Sequence, residues 1–208
     1  SSSGLIRFPS VKLIENIANK IRSNNGLIVI NEVTTGVGRT GKWFGFQHYD
    51  LNPDMVAIGK GIGNGYPVSV AAVSVNTIKL LENHQFHYSQ SHQNDPLGAA
   101  IITEVIKTIQ DENLIQRSNS LGEKIRNGLL EMKAEHSIIK DIRGRGLMIA
   151  IEFTRNAAFI HKELIKRGFV VAKRSGHEVL RLDPALTINE TDVDLFLDTF
   201  KKIILKSN

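Results

Sequence analysis

A single lysine stands at the mouth of a glycine-rich turn in the segment AIGKGIGNGYP, residues 57–67. Lys60 follows an apolar run that predicts a buried strand, and three glycines come soon after it. Partial burial favours the neutral, nucleophilic form of an amine, and such an amine can form a Schiff base. The glycines would let a flat cofactor approach the backbone. On these residues alone, a surface lysine in a flexible loop remains the simpler interpretation.

Two neighbouring motifs resemble nucleotide-binding loops without matching them. GVGRTG (36–41) has the G-x-G-x-x-G spacing, but it runs into aromatic residues where a dinucleotide fingerprint opens a helix. GKGIGNG has the wrong order for a P-loop, in which the lysine follows the glycines and precedes Ser or Thr. RGRG (143–146) predicts a turn with two charged side chains. These loops therefore do not predict a nucleotide site.

The composition narrows the class of protein. The chain has 208 residues, is 41% hydrophobic and carries a net charge of +5, which allows one sizeable core or a core with a small second layer. The basic residues are spread along helices, so nucleic acid is not an expected partner. No run of apolar residues approaches a membrane span, so a membrane is not expected either, and no metal site is predicted. The absence of cysteine excludes a disulfide framework and fits the expected cytoplasmic location.

The first half of the chain alternates helices with apolar strands. Apolar residues at helical spacing predict a helix that begins after Ser10. The runs at 27–30, 55–58 and 68–75 predict strands buried on both faces, and Asn76 is a candidate N-cap for a short helix. This alternation predicts an α/β protein with a parallel or mixed sheet.

The second half reads as a smaller α+β unit. Long amphipathic helices are predicted from 96 to about 110 and from about 112 to 134. A pair of strands, or one long bent strand, is predicted in KDIRGRGLMIAIEF. Further predicted elements are a helix near 156–167, strands in FVVAKR and VLRLDP, and a last helix over about 189–206 that begins at Asn189.

The order of the motifs over residues 26–74 resembles the class III aminotransferases, pyridoxal-phosphate enzymes that include ornithine, acetylornithine and 4-aminobutyrate aminotransferases. Their pattern is an apolar strand, Asp-Glu-Val, G-x-G-R-T-G, an aromatic run, Pro-Asp, a second strand, Gly-Lys-Gly and Gly-Tyr-Pro. This chain follows nearly all of it. SQSHQNDPLGAA, IRGRGLMIAIEF and VLRLDPALTINETDVD resemble later family segments, so the resemblance covers essentially the whole chain.

The resemblance implies the aspartate aminotransferase-like fold of pyridoxal-phosphate transferases. Residues 1–95 would be part of the large cofactor-binding domain, 96–111 the interdomain helix and 112–208 the small C-terminal domain. The implied enzyme is a homodimer that uses pyridoxal 5'-phosphate. It would move an amino group from an amino acid or ω-amino compound to a 2-oxo acid.

The resemblance also assigns roles to single residues. Lys60 matches the lysine that forms the Schiff base and then carries a proton during the reaction. Val33 and Thr34 fall among the cofactor-binding positions, with Thr34 in place of a glutamine that contacts the ring hydroxyl. Ser91 matches a threonine that reaches the cofactor phosphate of the neighbouring subunit. Arg181 matches the arginine that binds the substrate carboxylate.

Asn31 departs from the family pattern, because it stands where the family has an aspartate. That aspartate pairs with the protonated pyridine nitrogen and keeps the ring an electron sink. A neutral amide holds the proton of that nitrogen far less firmly. The substitution therefore leaves two alternatives open: an amino-acid racemase or epimerase, and a catalytically impaired relic.

The N-terminal end of the chain carries the other departures. SSSG aligns with the family's Gly-Glu-Gly-Gly, so Ser2 replaces a glutamate that pairs with the carboxylate-binding arginine, and Arg181 is expected to be free for an α-carboxylate. The family's N-terminal half, with its phosphate-binding loop, has no counterpart in these residues. We therefore expect the chain to need that missing half of the same polypeptide, to be inactive alone, and to expose apolar faces of LIVI and VAAVSV.

Overall fold

The computed structural model describes residues 5–207, which divide into two compact units. The N-terminal unit comprises residues 9–37 and 42–113. The C-terminal unit comprises residues 5–8, 38–41 and 114–207. Among residues 5–207 no helix combines the length and the apolar character that crossing a membrane requires.

The N-terminal unit is built on a small mixed sheet. Its elements are α1 (Val11–Arg22), β1 (Val29–Asn31), a 3-10 helix (Gly45–Tyr49), β2 (Met55–Ile58), a second 3-10 helix (Lys60–Gly63), β3 (Val70–Val73), α2 (Val75–Asn83) and α3 (Pro96–Asp111). The sheet order is β1-β2-β3. β1 runs parallel to β2, with Asn31 beside Ala57, and β3 runs antiparallel to β2. The predicted α/β class with a mixed sheet is confirmed for this unit.

Several details of the strand prediction are wrong. The run 27–30 forms a strand only from Val29 to Asn31, and it is not buried on both faces, since Val29 is 61% exposed. The run 68–75 is a strand only over Val70–Val73. The next helix is capped by Ser74, whose hydroxyl accepts from the Thr77 amide, and not by Asn76. The expected exposure of apolar sheet residues is confirmed at Val29 and in β3, where Ala71 and Ala72 are exposed.

The C-terminal unit packs helices against an antiparallel sheet of order β4-β5-β7-β6. Its elements are α4 (Leu114–Glu135), β4 (Ile139–Arg145), β5 (Met148–Phe153), α5 (Ala157–Lys166), β6 (Ala172–Lys173), β7 (Val179–Leu182) and α6 (Glu190–Ile204). The predicted strand pair is therefore confirmed. RGRG is not simply a turn, because Arg143–Arg145 belong to β4 and only Gly146 leaves the strand, with a φ of +52°.

The core of the C-terminal unit lies between this sheet and the helices. Ile149 and Ile151 of β5 join it with Leu129 of α4, Leu164 of α5 and Phe200 of α6, all of them fully buried. The alternate residues of β5, Met148 and Ala150, are buried on the other side, where they pack with Ile6. β5 is thus apolar on both faces because each face has its own cover.

Arg143 fixes the segment that covers the second face of the sheet. Its Nε donates to the Ile6 carbonyl at 3.0 Å, and its Nη2 donates to the Leu5 carbonyl at 3.0 Å. Its Nη1 pairs with Asp141 and Glu152 at 2.7 Å each. Hydrogen bonds to these carboxylates raise the pKa of the Arg143 guanidinium against the opposing effect of burial. The guanidinium therefore holds the backbone of residues 5 and 6 against β4.

Helix α4 approaches the turn between β4 and β5 so closely that only glycine fits at residue 122. A Cβ atom on Gly122 would lie 2.1 Å from the carbonyl oxygen of Gly146, which is backbone and cannot rotate away. In the same helix, a Cβ atom on Gly128 would first meet a side-chain methyl of Leu197, at 2.9 Å. The two glycines therefore differ in what surrounds them.

We predict that Gly122→Ala lowers the free energy of unfolding of the full-length protein by at least about 1–3 kcal/mol, the usual cost of overpacking. Alanine is a better helix former than glycine by about 1 kcal/mol, so the clash must exceed that gain. Gly128→Ala is the matched control and is expected to change stability less. Urea unfolding of both variants measures the difference, and equal effects would contradict the close approach at Gly146.

Candidate active site

The lysine singled out in the sequence lies where two parallel strands end. Asn31 is the last residue of β1, and Lys60 follows the end of β2 by two residues. Because β1 and β2 are parallel, both residues lie at the same edge of the sheet, the edge where α/β proteins bind ligands. Lys60 has a left-handed backbone, with a φ of +49°, which non-glycine residues seldom adopt. Its side chain is exposed at this edge.

A short loop after β1 brings three more predicted residues to Lys60. The Lys60 ammonium, Nζ, donates to the Thr34 hydroxyl at 3.1 Å. Val33 lies against the residue before the lysine, since a Cβ atom on Gly59 would be 3.4 Å from Val33 Cγ1. Asn31 accepts a hydrogen bond from the Val33 amide through Oδ1 at 3.1 Å. The structure thus places Asn31, Val33, Thr34 and Lys60 together.

A buried carboxylate holds this loop, and the sequence analysis missed it. Glu32 is 1% exposed. Its Oε2 accepts from the Thr35 hydroxyl at 2.6 Å and the Gly45 amide at 3.0 Å, and its Oε1 accepts from the Phe46 amide at 2.8 Å. The sequence does contain a sign of this role, since Glu32 is a charged residue directly after an apolar strand. A carboxylate buried at such a position must find hydrogen-bond donors.

The cleft beside Lys60 has a volume of about 640 Å³ and is lined by Lys60, Gly61 and the segment 64–69. This volume is in the range of small-molecule sites, and the cleft is largely open to solvent. Tyr66 forms part of its wall, and its hydroxyl donates to Asp95 Oδ2 at 2.9 Å. That hydrogen bond raises the pKa of Tyr66 and lowers the pKa of Asp95. Asp95 also caps α3 by accepting from the Leu97 and Gly98 amides.

Ser91 makes no hydrogen bond to the residues around Lys60 within the described part of the chain. It belongs to the exposed segment between α2 and α3, where Phe86 and Tyr88 are also exposed. Within residues 5–207 no hydrogen bond joins Ser91 to Asn31, Thr34 or Lys60. Its assignment to the phosphate of a neighbouring subunit stays a prediction.

Arg181 lies in β7 of the C-terminal unit and has an acidic partner two residues later. Its Nε is 2.5 Å from Asp183 Oδ2, and the two side chains are 20% and 26% exposed. The expectation that Arg181 would be free is therefore wrong. Ser2, the counterpart of the family's glutamate, lies outside the described residues, and the acidic partner is instead Asp183, which follows β7 directly and is spaced to share a face with Arg181.

A second arginine reinforces the end of β7. Arg39 Nη1 donates to the carbonyl of Pro184 at 2.5 Å and to that of Leu147 at 3.3 Å. Burial lowers the pKa of the Arg39 guanidinium, while nearby Asp183 opposes that shift. The arginine of the GVGRTG motif thus fixes the backbone next to Asp183 instead of binding a nucleotide.

Comparison with known proteins settles the family. The sequence profile of the family "Aminotransferase class-III" matches residues 1–204. The chain belongs to the class III aminotransferases. It is 32% identical over 201 residues to ornithine aminotransferase 1 of Staphylococcus aureus strain MRSA252, covering 96% of this chain and 50% of that protein.

A second relative is also a transaminase and is also matched over only half of its length. A LysW-aminoadipate semialdehyde/glutamate semialdehyde transaminase of Sulfolobus acidocaldarius is 28% identical over 197 residues, 95% of this chain and 50% of that protein. The chain thus spans about half the length of the curated relatives it matches.

Solved structures confirm the predicted fold. A transaminase from the marine bacterium Virgibacillus matches 99% of this chain and 51% of its own, at a TM-score of 0.91 and 27% identity. Plasmodium falciparum ornithine delta-aminotransferase matches 99% of this chain and 52% of its own, at a TM-score of 0.86 and 28% identity. The chain has the fold of the pyridoxal-phosphate-dependent transaminases.

Membership of this family implies pyridoxal phosphate, and the residues at the edge of the sheet fit that group. A primary amine is the group that bonds to an aldehyde, and Lys60 presents one in a cleft of suitable size. Thr34 offers a hydroxyl, Asn31 an amide and Val33 an apolar contact at the same place. These four side chains would hold the ring end of the cofactor.

We predict that Glu32→Ala destabilises the full-length protein strongly. The substitution leaves three donors without their acceptor, and each buried donor left unsatisfied costs about 1–3 kcal/mol. The matched control is Glu15→Ala on exposed α1, where surface substitutions change stability by about 0.5 kcal/mol or less. Denaturant unfolding of both variants tests this, and similar stabilities would show that Glu32 does not hold the loop.

Proposed function

We propose that the full-length protein transfers an amino group between an amino acid, or an ω-amino compound, and a 2-oxo acid, with pyridoxal phosphate held on Lys60. The observation that carries this proposal is the Lys60 amine at the joint carboxyl end of β1 and β2, 3.1 Å from the Thr34 hydroxyl. The names of the relatives, an ornithine aminotransferase and a semialdehyde transaminase, support the same reaction class.

Lys60 has two tasks in this reaction. When bound, the cofactor supplies an electron sink that stabilises negative charge on the substrate's α-carbon. Lys60 Nζ would hold the cofactor, and once free it would take a proton from the substrate's α-carbon and return it within the same site. Thr34 Oγ1 orients Nζ through their hydrogen bond. Gly61 lines the cleft beside the lysine and adds no side chain to obstruct the movement of the amine.

Arg181 is the proposed contact for the substrate carboxylate. A planar guanidinium suits bidentate binding of a carboxylate, and the ion pair between Nε and Asp183 orients the guanidinium. The preference for an α-carboxylate rested on a free Arg181 and loses that support. The proposed donor therefore stays either an amino acid or an ω-amino compound.

The proposed domain organisation follows the family. Residues 1–95 would belong to the large domain, 96–111 to the interdomain helix and 112–208 to the small domain; the helix bounds of α3 and the unit boundary at 113/114 support this division, whereas residues 5–8 and 38–41 fall in the C-terminal unit. The chain aligns with only 50% of each of these relatives. This supports the proposal that another half of the same polypeptide supplies the phosphate loop. Inactivity of these residues alone and a cytoplasmic location stay predictions.

The comparisons give no support to the racemase alternative. A racemase interconverts enantiomers without an oxo-acid acceptor, whereas the proposed enzyme needs one. A chiral assay with and without a 2-oxo acid separates the two reactions. The impaired-enzyme alternative predicts cofactor binding without turnover in the same assay.

We predict that borohydride reduction of the full-length protein with pyridoxal phosphate attaches the cofactor to Lys60. Lys60→Ala should lose both the adduct and amino transfer, because Lys60 is the lysine that follows β2 and lines the cleft. Lys42→Ala is the matched control, since Lys42 donates to the Gln47 carbonyl in the same unit. Peptide mass analysis locates the adduct. An adduct that persists on another lysine in the Lys60→Ala protein would refute the assignment.

We also propose a homodimer in which Ser91 binds the partner's cofactor phosphate. The exposed rings of Phe86 and Tyr88 beside Ser91 support an interface at this segment. The full-length protein should sediment as a dimer or a multiple of dimers. Ser91→Ala should weaken cofactor affinity about 10-fold or more, the effect of losing one hydrogen bond to a charged group. Ser89→Ala is the control for the same exposed segment. An active monomer, or equal affinities, would contradict this proposal.

A further inference from the structure

The orientation of the Asn31 amide is fixed by its own backbone neighbourhood. Oδ1 accepts from the Val33 amide at 3.1 Å, and a backbone N–H can only donate, so the oxygen must be the atom that faces Val33. The remaining polar atom of the side chain is Nδ2, which has two hydrogens and no acceptor capacity. Within the described chain Nδ2 has no hydrogen-bond partner, and Asn31 is exposed at the edge of the sheet.

The acidic side chains around this edge are engaged elsewhere. Glu32 is buried against Thr35, Gly45 and Phe46. Asp95 accepts from Tyr66 and from the first amides of α3. Asp54 precedes β2, at the opposite end of the strand, where it pairs with Arg22 at 2.6 Å and accepts from the Ile28 amide. The loop after β1 therefore brings two uncharged polar groups towards Lys60, the Asn31 amide and the Thr34 hydroxyl, while Asn64, Tyr66 and Ser69 line the cleft beside the lysine.

We propose that Asn31 donates Nδ2–H to the ring nitrogen of the bound cofactor and keeps that nitrogen unprotonated. This inference rests on the proposed function, because it assumes that the cofactor lies between Lys60 and Asn31. The Asn31 N–H can donate to an unprotonated ring nitrogen, which offers its lone pair. A protonated ring nitrogen would instead place its own hydrogen against the hydrogen of the Asn31 amide, which is repulsive. Rotating the amide to present Oδ1 would break the bond from Val33.

The proposal gives Asn31 a definite part in the chemistry. An unprotonated ring withdraws fewer electrons from the substrate carbon, so proton transfer at that carbon depends more on the position of Lys60. The Thr34 hydroxyl fixes that position. On this account Asn31 is a specific hydrogen-bond donor, and the site is adapted to a neutral ring.

The test is the nitrogen resonance of the bound ring. Full-length protein is loaded with pyridoxal phosphate labelled with ¹⁵N in the ring, and the resonance is recorded by NMR. The wild-type resonance should lie in the range of an unprotonated pyridine at neutral pH. Asn31→Asp should move it to the protonated range. Asn64→Asp places a carboxylate in the cleft beside Lys60 without altering β1, and its resonance should stay where the wild type has it.

Borohydride reduction of the same samples distinguishes a failure of the proposed role of Asn31 from a failure of the proposed function. An adduct on Lys60 together with a protonated wild-type nitrogen overturns the role of Asn31 and leaves the proposed function standing. No adduct on Lys60 overturns both. If Asn31→Asp does not fold, the wild-type resonance alone decides. A shift of Asn64→Asp equal to that of Asn31→Asp would show that any added charge protonates the ring, and would overturn a specific role for Asn31.

Discussion

The site depends on one buried carboxylate. Glu32 accepts hydrogen bonds from a hydroxyl and two backbone amides, and its own amide pairs with the Ala57 carbonyl of β2. These bonds fix the loop between β1 and the aromatic 3-10 helix. Since Asn31 and Val33 flank Glu32 directly, their positions follow from it. A carboxylate inside protein is costly unless every oxygen finds a donor, and here the donors are mostly backbone.

The parallel pairing of β1 with β2 supplies the second constraint. It brings Asn31, the last residue of β1, and Lys60, which follows β2, to a single edge, although 29 positions separate them in the sequence. The antiparallel β3 lies beside β2, and residues 64–69, which lead into β3, form the wall of the cleft. The Lys60 amine therefore follows a strand that is hydrogen-bonded on both sides, and the glycines near it add no side chains to the space around it.

Much of this arrangement follows from the sequence, for identifiable physical reasons. Helix ends at Ser10 and Asn189 carry side chains that cap backbone amides, so local chemistry predicts them. The strand boundaries were predicted less well: burial of Val29 depends on what covers the sheet, which no local pattern reveals. The pairing of Arg181 with Asp183 and the role of Glu32 depend on which donors the fold brings near. Family motifs point to Lys60, whereas the orientation of the Asn31 amide depends on the hydrogen bond from Val33 that the fold provides.

The central claim is that Lys60 and Asn31 meet opposite parts of one cofactor at the edge of the sheet. A crystal structure of the full-length protein grown with pyridoxal phosphate tests it most directly. We expect continuous density from Lys60 Nζ to the cofactor and the ring nitrogen about 3 Å from Asn31 Nδ2, with Oδ1 still facing the Val33 amide. A cofactor bound to another lysine, or an Asn31 amide turned away from the ring, would contradict it.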